Sequence, residues 1–169
     1  SSASQVQHNC TYSRGMNWHT YHYLETRLNE LSRYVSFAPE NKVTWSEAFA
    51  DLLILTGSAV DTFFRDMSKC PNIQSNNHYL RVQQKRSREW NINDFRDTYE
   101  PIYELSKNKV DIPFGLSYYG LIQPFREFDI SINGIPDWWN AYNHLKHNYY
   151  AHLTEANLEN ILNSLGGLL

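Results

Sequence analysis

TWSEAFADLLILTGSAVDTFFRDM, from Thr44 to Met67, reads as one long amphipathic helix with its own start signal. Thr44 and Glu47 match a capping box, in which a hydroxyl and a carboxylate satisfy backbone N–H groups left over at a helix start. Phe49, Leu52, Leu53, Thr56, Val60, Phe63, Phe64 and Met67 follow at helical spacing and form a broad apolar stripe. The helix is expected to stop before Cys70-Pro71, because proline disfavours helical geometry in the residue ahead of it. A stripe this wide must be covered by other elements.

The same spacing supplies the covers. Tyr21, Leu24, Leu28, Leu31 and Val35 predict a helix from Trp18 to about Val35, with Pro39 forbidding a long continuation. Gly134-Ile135-Pro136-Asp137 launches another, expected to run to about His152. Thr154-Glu155 is expected to cap a last helix striped with Leu158, Ile161, Leu162, Leu165 and Leu169, where Gly166-Gly167 permits fraying or a close approach to a neighbour. A shorter helix is expected from about Asn93 to Ser106, with Pro101 inside it. Residues 71–91 are polar. Near 108–133, Pro113, Gly115, Gly120 and Pro124 interrupt apolar pairs, which predicts an irregular insertion with short strands. The expectation is one all-α domain over 1–169, a four- to five-helix bundle, with 1–16 a loose arm.

Composition narrows the functional classes. The chain has 169 residues, 41% hydrophobic, enough for a packed core without staples. Aromatic residues reach 15%, with 12 Tyr and 5 Trp, which combine apolar area with a polar handle. The net charge of −3 provides no global positive field, so any nucleic-acid contact must be local. Cys10 and Cys70 form no CxxC pattern and read as two reduced thiols of a cytoplasmic protein. No apolar run approaches the roughly 18–20 residues of a membrane span. P-loop, Gly-x-Gly-x-x-Gly and Gly-x-Ser-x-Gly motifs are missing, which removes the common nucleotide and hydrolase readings.

The stretch Asp137 to His152, DWWNAYNHLKHNYYAH, is the one that could carry chemistry. On a helix, Trp138, Ala141, Leu145 and Tyr149 fall along a core-facing stripe. Asn143 and His147, four apart, share a face well round from it, extended by Asn140 and Tyr150 and bordered by His144 and Lys146. Histidine exchanges protons near neutral pH, and an amide beside a cation can orient a phosphate and stabilise charge on it.

Trp138-Trp139-x-x-Tyr142-Asn143-x-x-Lys146-His147, followed by an amphipathic helix ending in Leu-Gly-Gly-Leu-Leu, resembles a group of helical prokaryotic proteins with a Tyr-Asn-x-x-Lys-His signature. That group is similar to the HEPN superfamily. Gly57-Ser58-Ala59-Val60-Asp61 resembles the group's acidic helix. The likeness covers roughly 44–67 and 137–169. It implies RNA binding or metal-independent RNA cleavage without a cofactor, in a homodimer, as in prokaryotic defence or toxin–antitoxin pairs. It assigns His147, Asn143 and Asp61 to catalysis, and Lys146 and Tyr142 to phosphate. Active members have arginine where this chain has Tyr142, which cannot supply a fixed bidentate cation.

Arg81, Lys85, Arg86 and Arg88, ending beside Trp90, form a second candidate phosphate-binding patch, where a cation run next to an aromatic can grip backbone and stack a base. Two other readings stay open on the residues alone. One is a non-enzymatic helical module that docks a protein partner. The other is a helical-bundle metalloprotein using His19 and His22, or His144 and His147, each pair three apart. No His-Glu-x-x-His motif supports the last, so no metal is expected.

Overall fold

The computed structural model describes residues 18–113 and 119–169, and the N-terminal arm expected over 1–16 lies outside them. Among the described residues seven α-helices run in order: α1 Trp18–Leu31, α2 Glu47–Met67, α3 Pro71–Gln74, α4 Asn77–Leu80, α5 Ile92–Tyr103, α6 Asp137–His147 and α7 Leu158–Gly166. The expected all-α bundle is what forms. Helix α2 is its axis, packed against α1, α6 and α7, while α7 also contacts α6 and α1. Leu53, Val60, Phe64, Trp138, Leu145, Leu158, Ile161 and Leu162 are among the buried side chains between them.

Helix α2 starts two residues later than the capping-box match suggests. Ser46, not Thr44, is the cap, its hydroxyl accepting from Phe49 N at 3.1 Å. Thr44 and Trp45 are occupied elsewhere. The Thr44 carbonyl accepts from Leu158 N at 2.9 Å, and Trp45 bridges Asn157, so this segment is extended and pinned to the head of α7. Helix α1 ends at Leu31 rather than Val35, and turn bonds carry the chain on.

Helix α5 begins at a capping box that the sequence reading missed. The Asn91 side chain accepts from Asn93 and Asp94 N, and Asp94 accepts from Asn91 N at 2.9 Å. It leans on α2 through rings: Phe64 lies 5.3 Å from both Phe95 and Tyr99, within the range of favourable aromatic pairs. The Tyr99 hydroxyl donates to the Phe64 carbonyl at 2.5 Å.

The irregular insertion contains two short antiparallel strands, β1 Val110–Ile112 and β2 Gly120–Ile122, with Asp111 opposite Leu121. It is sewn to both late helices. Trp138 Nε1 donates to the Pro124 carbonyl at 2.7 Å, and a Cβ at Gly166 would lie 2.8 Å from Ile122 Cδ1. Gly166 is therefore a close-approach glycine.

Three further expectations need correction. Helix α6 stops at His147 instead of His152; Asn148 leaves helical geometry at φ −152° and ψ 83°, and a 3-10 segment, Tyr150–Glu155, follows. The cap of α7 is Asn157, whose side chain accepts from Asn160 N, not Thr154-Glu155. Cys70 is disulfide-bonded, contrary to the expected reduced thiols. Cys10, the sequence's other cysteine, lies outside the described residues; pairing through space has no signature in sequence spacing. Among the described residues no helix is long and apolar enough to cross a membrane.

Candidate functional site

Helix α6 sorts its side chains by turn. Trp138, Trp139, Ala141, Tyr142 and Leu145 are buried, a wider inner face than the predicted Trp138, Ala141, Leu145 and Tyr149 stripe, because both α2 and α7 press on it, while Tyr149 lies beyond the helix end and is half-buried. Asn143 is half-buried, and His144, Lys146 and His147 are exposed. Three basic or titratable side chains thus crowd the last turn, where the negative end of the helix dipole favours cations.

Tyr142 is a core residue at 2% exposure, and its ring stands 5.4 Å from Trp139 and against Gly57 of α2. Only its hydroxyl reaches outward, accepting from Lys146 Nζ at 3.2 Å while the ammonium lies 4.9 Å from the ring centroid. Tyr142 therefore positions Lys146 instead of meeting a ligand with its own ring. His147 makes no side-chain hydrogen bond to any described residue. Lys146 and His147 stand next to each other at the helix end, with Asn143 one turn back.

Asp61 belongs to α2, the helix that contacts α6 through Gly57. Its carboxylate is taken by Arg65, whose Nε and one terminal nitrogen each donate at 2.9 Å. The same guanidinium donates to the Trp90 carbonyl at 3.0 Å and lies 5.4 Å from the Phe95 ring centroid. Asp61 thereby helps fix the segment before α5. The structure gives it a partner other than His147.

The basic loop stands apart from this end of the molecule. Lys85 Nζ donates to Asp94 at 2.8 Å, joining the cap of α5, and Glu89 accepts from the backbone N–H of Arg86 at 3.2 Å. Arg81, Arg86 and Arg88 are exposed. The loop packs through α4 onto α5, whereas α6 packs onto α2, α7 and the 3-10 segment.

One grouping was missed from the sequence. The 3-10 segment returns His152 and Glu155 against His144 of α6. His144 Nδ1 lies 2.8 Å from Glu155 Oε2, and His152 Nδ1 lies 2.6 Å from Oε1. Burial alone would raise the Glu155 carboxyl, but the bonds from His144 and His152 outweigh it and hold it below the usual glutamate value. The spacing His152-x-x-Glu155 was the available signal, hidden because His152 was expected to end one helix and Glu155 to cap the next.

The chain matches no family model, no curated protein and no solved structure.

Proposed function

We propose that this chain is a HEPN-like domain that binds RNA through the exposed end of α6 and is degenerate as a ribonuclease. The observation that supports the reading is the division of that helix. Its aromatic side is sealed against α2 and α7, while Asn143, Lys146 and His147 remain together at its outer end. Lys146 is held by Tyr142, so a positive charge is kept on the same helix end that carries an imidazole and an amide, groups suited to phosphate oxygens. The contact is local, in keeping with a chain of net charge −3.

Two features favour binding over cleavage. Tyr142 is buried where active members of the superfamily carry arginine, and the Asp61 carboxylate is already gripped by Arg65. A homodimer apposing two α6 ends belongs to the same reading and is checked by light scattering in solution.

The test is titration of a labelled single-stranded RNA with the full chain across a salt series. Affinity should fall steeply with salt, and Lys146→Met should lower the slope of log affinity against log salt by about one. Affinity that ignores salt, or that is unchanged in both Lys146→Met and His147→Ala, overturns the reading.

A further inference from the structure

The break after α6 builds a constellation that the RNA reading leaves unassigned. His144 projects from the last turn of α6. After Asn148 and Tyr149 the chain reverses into the 3-10 segment, in which residues three apart eclipse one another. His152 and Glu155 therefore point the same way, back at His144. The two imidazole rings lie 4.7 Å apart, tilted by 32°, with the carboxylate bonded to both. One ligand-type atom from each of the three residues falls within 4.8 Å of the others, which no other group of His, Cys, Asp and Glu among the described residues achieves.

The three side chains come from two elements. His144 rides on α6. The Glu155 carbonyl accepts from Asn160 Nδ2 at 2.8 Å, and the next turn begins α7 under its Asn157 cap. All three remain partly open to solvent, His144 at 49% of its side chain.

We propose that His144, His152 and Glu155 form a binding site for a divalent transition metal of the zinc class, with a further position open to water. Two imidazole nitrogens and one carboxylate oxygen are a donor set such an ion takes, at bonds of about 2.0–2.2 Å. Ligand atoms at the corners of a tetrahedron with those bonds lie about 3.4 Å apart. The present nitrogen–oxygen separations of 2.8 and 2.6 Å must open by less than an ångström, a small rotation for side chains this exposed. The ion would replace two hydrogen bonds between the same atoms and tie the end of α6 to the head of α7. Neither consequence requires RNA or the proposed RNA-binding role of His147.

Zinc alone is the probe. The full chain, stripped with chelator and returned to neutral buffer, is titrated with zinc chloride by calorimetry, and its melting is followed with and without the metal. One zinc per chain and a raised melting temperature are expected. His144→Ala and His152→Ala should each weaken zinc by about tenfold or more and remove the rise in melting temperature. His22→Ala, at an exposed histidine of α1, should bind as the parent does. Glu155→Gln keeps the side-chain volume and should weaken zinc in the same way as the histidine variants. Imidazole NMR resonances of His144 and His152 in the unmodified chain should shift on zinc addition, a readout that needs no variant to fold. Zinc bound at less than one per chain, bound equally by His144→Ala and His152→Ala, or shifting other histidines instead, overturns the proposal.

Discussion

Gly57 of α2 lies directly beneath the Tyr142 ring of α6: a Cβ built at Gly57 would sit 2.4 Å from Tyr142 Cγ. Real carbon atoms do not approach so closely, so the two positions depend on one another. A glycine inside a helix costs about 1 kcal/mol against alanine, and here that cost is offset by a ring that fills the gap between helices.

Gly57→Ala should therefore destabilise the fold by about 2 kcal/mol, an overpacking penalty of about 3 less the helix-propensity gain. In a Tyr142→Ala background, which itself costs about 3–5 kcal/mol, the same glycine change should be neutral or stabilising. Urea denaturation of the four proteins measures the coupling. An equal glycine penalty in both backgrounds would show that the ring is not the obstacle.

Tyr142 has a second role that can be separated from the first. Its hydroxyl accepts from Lys146 Nζ, and Tyr142→Phe removes that acceptor while leaving the ring over Gly57. Stability should change by no more than about 1 kcal/mol, since the lost bond is to an exposed ammonium. RNA affinity should weaken by less than in Lys146→Met, with the salt slope unchanged, because the charge is retained but no longer positioned. Weakening as large as that of Lys146→Met would mean that the hydroxyl itself meets the ligand.

What could be read without coordinates, and what could not, divides on the reach of the contacts. The stripes of α2 and α7 are periodic within one helix, and they bury as expected except at Phe63 and Met67, which are half-buried, and Leu169, which is exposed beyond the end of α7. The start of α2 was misplaced because Thr44 and Trp45 pair with Leu158 and Asn157, near the other end of the chain. The His144–Glu155 pair was invisible for a related reason. Along an unbroken helix those residues would be separated by about 16 Å of rise. The break at Asn148 brings them to 2.8 Å, and neither residue type announces a break there. Family likeness assigned Asp61 on α2 to catalysis, but Arg65, four residues on, holds its carboxylate on the same helix.

Alkaline pH should weaken this fold more than its charge content suggests. Burial, followed by the Glu25 carboxylate, raises the Tyr21 phenol well above its usual value, and burial does the same for Tyr99. Tyr149 is pushed up to about 12, by burial first and then by its hydrogen bond to Asp51. Each raised value means that the folded chain keeps a proton which the unfolded chain gives up. Their stabilising contribution is complete below about pH 10, the ordinary tyrosine value, and drains as pH climbs towards 12 and past it. Denaturation midpoints at a series of pH values should fall over that window, and less steeply in Tyr149→Phe. A flat profile above pH 10, or one unaffected by Tyr149→Phe, contradicts the assignment.

The disulfide at Cys70 makes the last prediction. Cys70 is also the N-cap of α3, and its carbonyl accepts from Ile73 and Gln74 N at 3.0 Å each, so the bond joins the chain where α2 gives way to a new helix. A disulfide chiefly restricts the unfolded chain, and losing one typically costs about 2–4 kcal/mol. Reductant should lower the melting temperature of the parent and leave Cys70→Ser, already destabilised, unmoved. Alkylation of the native chain without reductant should leave Cys70 unlabelled, and labelling after reduction should recover it. A Cys70 thiol that alkylates at once in native protein would restore the expectation of a reduced cysteine and remove the staple from the account of α3.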